Sequence, residues 1–269
     1  MTTAQQQTYG KTFSGSAPQN YEKFFVPMIG GPLAADLVAG AALRPGERVL
    51  DAACGTGIVA RLAAERVGPE GSVAGVDITP DMLAVARTVT SRFPIRWYET
   101  SVEAMPLSDR SFDVVFCQLG LMFVQDKAAA LREMRRVLVP GGRIYVSVPA
   151  PTRFFDVLEN ALARHVPEAA PFVRLVFSLN DPKALESLFR DAGFKDVAIQ
   201  SISKQMHFPS PQEFLWQYLS CTPLAGAMLD LDNSVRTALE HDVVEGWQKW
   251  VEDGRMTHSQ PVLIASGRA

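Results

Sequence analysis

Through the middle of the chain, short apolar runs alternate with stretches whose apolar residues recur every three or four positions. That is the mark of strands alternating with helices. Residues 48–50 read as a strand ending at Asp51, residues 52–57 as a glycine-containing turn, and residues 58–67 as a helix with Ile58, Leu62 and Ala63 on one face. The rhythm repeats in residues 73–76, a strand ending at Asp77. Thr79-Pro80 supplies an N-cap with proline at the first helical position. The helix it opens, 80–91, turns Met82, Leu83, Ala86 and Val89 inward, and 95–98 form a third strand. Residues 112–117 are almost continuously apolar, as expected of a strand buried on both faces. A helix at 126–138 carries Leu131, Met134 and Leu138, and Pro140-Gly141-Gly142 turns the chain into a fifth strand, 143–148. Such alternation implies a parallel sheet covered on both faces, and right-handed crossovers make it doubly wound.

The flanks differ. Residues 1–20 are polar, rich in Gln, Thr and Ser, and read as a frayed tail. In 21–43 a helical rhythm is interrupted by Pro27, Gly30, Gly31 and Pro32, giving one broken helix or two short ones. Residues 150–180 carry Pro151, Pro167 and Pro171 among helical fragments and read as an insertion beyond the sheet's carboxyl edge. Asp181-Pro182 starts a helix that ends at Gly193, a C-terminal glycine cap. A sixth strand follows at 197–202. Ser210-Pro211-Gln212-Glu213 is a capping box, opening a helix with Phe214, Leu215, Tyr218 and Leu219. A helix at 233–251 gathers Val235, Leu239, Val243, Trp247 and Trp250, and 261–265 make a seventh strand. The expected division is 1–44 tail and lid helices, 45–149 core, 150–180 cap insertion, 181–208 core continued, 209–257 helical cap insertion, and 258–269 final core strand.

The segment Val49-Leu50-Asp51-Ala52-Ala53-Cys54-Gly55-Thr56-Gly57 carries the most chemistry. A strand delivers an acid, and glycines let a ligand pass close over the backbone. The second strand also ends in an acid, Asp77, which can accept from both hydroxyls of a ribose. Two ligand classes compete. Gly55–Ala60 fits the G-x-G-x-x-A pattern of a nicotinamide dinucleotide. Asp51, however, would face phosphate charge there. It suits a ligand with a cationic amino-acid end and no phosphate, such as S-adenosylmethionine.

The chain has 269 residues, 47% hydrophobic and 20% charged, enough to bury a core without staples. Twenty-six basic against 29 acidic residues leave a net charge of −3, which argues against a general nucleic-acid binder. Cys54, Cys117 and Cys221 are odd in number and far apart, unlike a disulfide framework or a zinc site, and a reducing compartment is their simplest home. The start, MTTAQQQTYGKTF, lacks the apolar segment of a secretory signal. No run approaches the ~18 apolar residues of a membrane span. The expectation is a soluble, cytoplasmic protein. His165, His207, His241 and His258 are scattered, so no metal site is expected. His207, at the passage from the sixth strand into the cap, is the one catalytic candidate. Arg132, Arg135 and Arg136 fit a solvated helix face.

The runs VLDAACGTG, GVDITPDMLAVAR, FDVVFCQLGLMFVQD and LREMRRVLVPGGRIYVSV, in this order, resemble the class I S-adenosylmethionine-dependent methyltransferases. The subgroup they resemble holds the ubiquinone/menaquinone-type and small-molecule enzymes. The resemblance is close over 45–150 and holds in outline elsewhere. It implies a Rossmann-like seven-stranded mixed sheet, ordered 3-2-1-4-5-7-6 with the seventh strand antiparallel, under a helical cap built from 1–44, 150–180 and 209–257. It places Asp51 near the methionyl amino end, partly through water, and lays Ala53, Gly55 and Gly57 against the ligand through their backbone. It gives Asp77 the ribose hydroxyls, sets Ile78 and Met82 beside the adenine and Ser101 and Val102 at its edge, and turns Gln118 and Leu119 toward the methionine portion and reacting methyl. Tyr21 resembles the aromatic residue of an N-terminal lid that touches the ligand.

Two departures stand out. The family usually has an acid where Ser101 stands, and many relatives have a histidine at Met122-Phe123. The implied reaction moves a methyl group from S-adenosylmethionine, leaving S-adenosylhomocysteine, to carbon or oxygen of a small, fairly apolar acceptor, with no assigned base, by a monomer or homodimer. Phe154, Phe155, Phe172, Phe177, Phe214, Trp216, Tyr218 and Met228 are shared between packing the cap and lining an acceptor pocket. Trp247 and Trp250 read as core. The alternatives are a nicotinamide-dependent oxidoreductase and a non-enzymatic methyltransferase-fold protein that binds a partner. The second is weakened by the intact Asp51, Gly55, Gly57 and Asp77.

Overall fold

Strand β1 (Arg48–Ala52) lies at the centre of a sheet because Val49 and Leu50 have no exposed surface on either face. The computed structural model describes residues 15–89, 92 and 94–269. Among them one sheet contains β1, β2 (Ser72–Asp77), β3 (Ile95–Glu99), β4 (Phe112–Gln118), β5 (Leu138–Pro149), β6 (Lys195–Phe208), β7 (Val251–Glu252) and β8 (Arg255–Arg268). Its order is β3-β2-β1-β4-β5-β8-β6, with β7 paired to β8. The first five strands run parallel, and β8 is antiparallel to both β5 and β6. Register aligns Asp51 with Gly75 and Phe116, so the ends of β1, β2 and β4 share one edge. This is the expected order; the last core strand is eighth along the chain only because β7 precedes it.

The helices start where their side chains supply acceptors for otherwise orphaned amides. Asp126 accepts from Ala129 N–H at 2.8 Å, opening Lys127–Val137, whose Ala130, Leu131, Met134 and Val137 are buried on the sheet. Asp181 accepts from Lys183 N–H at 2.9 Å and Ser210 from Glu213 N–H at 3.3 Å. Three apolar clusters result: one on each face of the sheet and a third inside the cap. The cap joins Arg153–His165, Ala170–Val176, Pro211–Ser220 and Asn233–Trp247 to the far ends of β6 and β8. Its centre is Trp247, fully buried, stacked on Phe154 at 4.7 Å and donating its indole N–H to the Phe154 carbonyl at 2.8 Å.

Several boundaries differ from the sequence reading. β6 and β8 run well past 197–202 and 261–265. They stay paired as far as Phe208 and Met256, burying Met206, Phe208, Met256 and Val262 in the cap. Their alternation is masked in the sequence by polar residues on the buried face, His258 and Gln260. The helix expected over 233–251 stops at Trp247; a single tight turn, Gln248–Trp250, leads into β7, and Asp253 and Gly254, both at positive φ, turn it back onto β8. The helix expected over 80–91 ends at Thr88, and its last two expected residues lie outside the described residues.

At the N-terminus, residues 1–14 of the expected tail also lie outside the described residues. Residues 17–40, in contrast, form one continuous helix, α1 (Ala17–Gly40), rather than a tail and broken pieces. Pro27 is accommodated because Tyr21–Gly30 is wound in wider turns, with Gly31 N–H reaching back five residues to Val26 O. Inserted turns of this kind occur often at functional sites. α1 is 24 residues long and contains an 18-residue window of mean hydropathy 1.2, so among the described residues one helix is long and apolar enough to cross a membrane by length and composition, although Glu22, Lys23 and Asp36 interrupt its apolar residues. Here its second half buries Ala34, Leu37 and Val38 against the sheet cluster, while Ile29 and Leu33 enter the cap.

Candidate active site

At the shared carboxyl edge of β1, β2 and β4, beneath the cap, lies a cavity of about 400 Å³. One half is built on the turn after β1. Asp51 is 1% exposed, and its Oδ2 accepts Ala60 N–H at 2.9 Å. Burial, and then the neighbouring charge of Asp77, push its carboxyl up to about 8. Asp77, also held high by burial, accepts Gly55 N–H at Oδ2 (2.8 Å) and Thr79 N–H at Oδ1 (2.9 Å). The Thr79 hydroxyl and the Ile78 N–H also hydrogen-bond to this carboxyl, which holds the turn after β2 against the turn after β1.

The two glycines of the turn do different work. Gly55 has φ +54°, and a Cβ there would meet only the Tyr21 ring, at 3.9 Å. It faces the cavity beneath the lid. Gly57 has φ +83°, and a Cβ there would stand 2.4 Å from the Trp97 ring. Gly57 does not border the cavity; it starts the helix Ile58–Val67 and packs on Trp97, which corrects its expected role. Ala53 and Leu119, at the ends of β1 and β4, hold φ of +57° and +52°, a conformation that costs a non-glycine residue on the order of 1–3 kcal/mol and clusters at ligand sites. Both border the cavity.

α1 closes this half. Tyr21 stacks on Phe25 at 4.5 Å, and burial holds its phenol well above the usual range. Side-chain contacts fix the helix over the cavity. Arg61 donates to Thr56 O and to Glu22 Oε1, both at 2.7 Å, and Gln118 Nε2 donates to Gly30 O at 2.9 Å. Glu22 and Arg61 belong to no motif, and their pairing is set only by the fold. Beyond Asp77, Ile78, Met82 and Val102 form an apolar slot with Ser101 and Glu103 at its edge.

The other half is apolar and belongs to the cap, lined by Phe155, Phe172, Phe177, Met206, Phe208 and Tyr218. Gln260 and Thr222 are its polar members. Gln260 donates both amide hydrogens, to Ala150 O and Pro261 O at 2.8 Å. Among the described residues, every charged side chain bordering the cavity is acidic: Asp51, Asp77 and Glu103.

Of the expected residues, Tyr21, Asp51, Ala53, Gly55, Asp77, Ile78, Met82, Ser101, Val102, Gln118 and Leu119 all border this cavity, and Gly57 does not. His207 is exposed, its Nδ1 3.5 Å from the Thr257 hydroxyl, because side chains alternate along β6 and its neighbours Met206 and Phe208 take the cavity face. Its ring stands outside the cavity lining, so the expected catalytic candidate does not reach the site. In the cap, Phe154, Phe214 and Met228 are packing residues, and Trp216 lies outside under the Arg236 guanidinium at 3.7 Å. The sequence reading overlooked His258, which is buried, stacked on Phe154 at 4.6 Å, 3.4 Å from Gln260 Oε1, and held below the usual histidine range by burial.

A methyltransferase-domain family profile matches residues 50–146. The ubiquinone/menaquinone biosynthesis C-methyltransferase UbiE of Stenotrophomonas maltophilia is 49% identical over 113 residues, 40% of this chain and 45% of that protein. The same enzyme of Shewanella frigidimarina is 36% identical over 175 residues, 58% of this chain and 70% of that protein. The chain thus spans about half the length of the first curated relative and more of the second. Among solved structures, the phosphoethanolamine N-methyltransferase 2 of Haemonchus contortus, in complex with phosphomonomethylethanolamine and S-adenosylhomocysteine, superposes with a TM-score of 0.61 at 18% identity, covering 96% of this chain and 58% of that one. That likeness is one of fold.

Proposed function

The chain belongs to the class I S-adenosylmethionine-dependent methyltransferases, and from that membership we propose that it methylates a small, uncharged, largely apolar acceptor at carbon or oxygen. The observation that carries this reading is the two-part cavity: an acidic glycine turn continuous with an aromatic chamber that has no cation. The donor half fits S-adenosylmethionine by its chemistry. Asp77 sets a carboxylate at the cavity wall where ribose hydroxyls can donate to it, Gly55 leaves the space a Cβ would fill, and Asp51 offers a carboxylate to an ammonium group. A dinucleotide's pyrophosphate would meet Asp51 with no positive partner. A phosphorylated acceptor, such as the one held by the Haemonchus enzyme, would likewise find no cation in the aromatic half.

Bound in that half, the donor supplies a methyl group already activated by its sulfonium charge. The protein's part is alignment and exclusion of water. Residues 45–149 hold the donor, and the cap, 150–180 and 209–257, selects the acceptor. α1, anchored through Glu22–Arg61 and Gln118–Gly30, closes the top. The buried thiols Cys54, Cys117 and Cys221 suit a reducing, cytoplasmic setting. The test is transfer of labelled methyl from S-adenosylmethionine to a panel of neutral phenols, quinols and polyketides beside their carboxylated and phosphorylated counterparts. Label is expected on neutral members only; transfer confined to anionic members, or none to any, counts against the reading.

Asp51 gives a second expectation. Its raised carboxyl is mostly protonated at pH 7 in the ligand-free protein, whereas a neighbouring ammonium favours the ionised form. Binding of S-adenosylhomocysteine at pH 7 should therefore release about one proton, and affinity should rise as pH climbs from 6 toward 8. Calorimetry in buffers of different ionisation heat reads the proton directly, and Asp51→Asn should abolish its release. The linkage has the opposite sign for the empty protein: a buried acid with a raised folded pKa costs stability as pH rises from about 4 to about 8. Ligand-free Asp51→Asn should then melt no lower than the parent at pH 8. Proton uptake on binding would place the ammonium elsewhere.

A further inference from the structure

One polar side chain of the aromatic half is locked in orientation. Gln260, on β8, is 4% exposed and borders the cavity. Its Nε2 donates to Ala150 O and to Pro261 O, both at 2.8 Å. Both amide hydrogens are therefore committed, and the two carbonyls decide which way the amide lies. What it has left for the cavity is Oε1, which can only accept and has two lone pairs. His258 Nε2 stands 3.4 Å from that oxygen. Burial holds His258 below the usual histidine range, so at pH 7.5 the ring is neutral and carries its one proton on Nε2, toward an atom that cannot donate. That long bond meets one lone pair of Oε1, and the other remains. Thr222, also in this half, donates its hydroxyl to Leu219 O at 3.1 Å and can turn it to a ligand by giving up that one bond. Gln260 can turn only by giving up two.

We propose that Gln260 is a specificity-determining residue: its Oε1 receives a hydrogen bond from a hydroxyl on an aromatic acceptor, and so favours a hydroxyarene over the same ring with a group that cannot donate. The proposal rests on the reading that the aromatic half takes the acceptor. Its physical reason is the asymmetry between a bond made and a bond missing. The rest of this half is walled by side chains such as Phe155, Phe177, Met206 and Phe208. A ring without a donor expels water from Oε1 and leaves a buried lone pair with nothing to accept, which is unfavourable. A ring with a hydroxyl supplies the missing proton. Because the amide is anchored on two backbone carbonyls, the hydroxyl becomes a fixed point that orients the ring. An amide oxygen is too weak a base to take the proton, so the residue positions the acceptor and carries out no proton transfer.

The experiment uses 2-naphthol and 2-fluoronaphthalene, rings of nearly the same size that differ in the hydrogen-bond donor. Binding of each to the full chain is measured by equilibrium dialysis at pH 7.5 in the presence of S-adenosylhomocysteine. The parent should prefer 2-naphthol by about fivefold or more, the scale of one buried acceptor left unpaired. Gln260→Met keeps a long unbranched side chain and removes the acceptor. There the preference should reverse, partly by a gain in affinity for 2-fluoronaphthalene, which a merely structural loss would not produce. Gln260→Asn draws the amide back by one methylene; it should flatten the preference to within about twofold and serves if Gln260→Met fails to fold. A parent that binds both probes alike overturns the proposal, as does a preference that stays unchanged in the folded variant. A parent that binds neither probe overturns the reading of the aromatic half as the acceptor site, and the proposal with it.

Discussion

Gly55→Val is expected to fold and to lose at least about a hundredfold in affinity for S-adenosylhomocysteine, which converts to about 2.7 kcal/mol. The position tolerates a side chain structurally, since only the Tyr21 ring stands near the new Cβ, at 3.9 Å. The φ of +54° adds on the order of 1–2 kcal/mol of strain. The two γ-methyl groups, though, fill the gap between the turn and Tyr21, through which the methionyl portion of the donor must pass. Gly57→Val is the contrasting variant. Its Cβ would lie 2.4 Å from the Trp97 ring with φ +83°, so the indole or the turn must move, at about 3 kcal/mol or more. A melting temperature lower by about 5–10 °C should report it. Circular dichroism melts beside calorimetry separate the two. A Gly55→Val protein that melts and binds like the parent shows that the ligand does not lie over this turn.

Asp77→Asn should lower donor affinity by about 1.5–3 kcal/mol, the range for a hydrogen bond to a charged group. It should also erase the parent's preference for S-adenosylhomocysteine over the 2′-deoxyribose analogue. The paired ligands matter because Asp77 also has a structural role. It accepts the N–H groups of Gly55 and Thr79, so Asp77→Ala orphans two amides at about 1–3 kcal/mol each and weakens binding through the turn alone. Asparagine keeps an acceptor for one of these amides but turns its NH2 to the other, so the empty protein should melt below the parent and above Asp77→Ala, and the ratio between the paired ligands, not the absolute affinity, reads the ribose contact. A deoxy penalty that persists in Asp77→Asn would move the ribose to other partners.

Asp77 reads from the sequence as a ligand acceptor at a strand end; that it also holds the N–H groups of Gly55 and Thr79 is visible only in the fold. Alternation of strands and helices, and the acids closing β1 and β2, are local features of period and turn chemistry; the other expected site residues followed from the resemblance of the motifs to the family, and eleven of the expected residues border one cavity. Partner choice across the fold is not local. That Gly57 answers to Trp97 and that Arg61 holds Glu22 follow only once strands and helices are packed. The length of β6 and β8 was hidden for a related reason. His258 and Gln260 are polar residues on a buried face, so the alternation that marks a half-buried strand looked broken where it continued. Pro27 misled in the opposite direction, because a wide-turned helix absorbs a proline that an α-helix would not. The apolar character of the acceptor half was legible in the cap's aromatic content, but which rings line it and which pack behind it was decided by β-strand alternation and by the Phe154–Trp247 stack.

The central claim is that the acidic half of the cavity holds S-adenosylmethionine rather than a dinucleotide. Its most direct test is a calorimetric titration of the full chain at pH 7.5 with S-adenosylhomocysteine and, separately, with the oxidised and reduced nicotinamide dinucleotides. The account predicts one-to-one binding of S-adenosylhomocysteine, weakened in Asp77→Asn, and no measurable heat from either dinucleotide. Saturable binding of a dinucleotide, with none of S-adenosylhomocysteine, would contradict it.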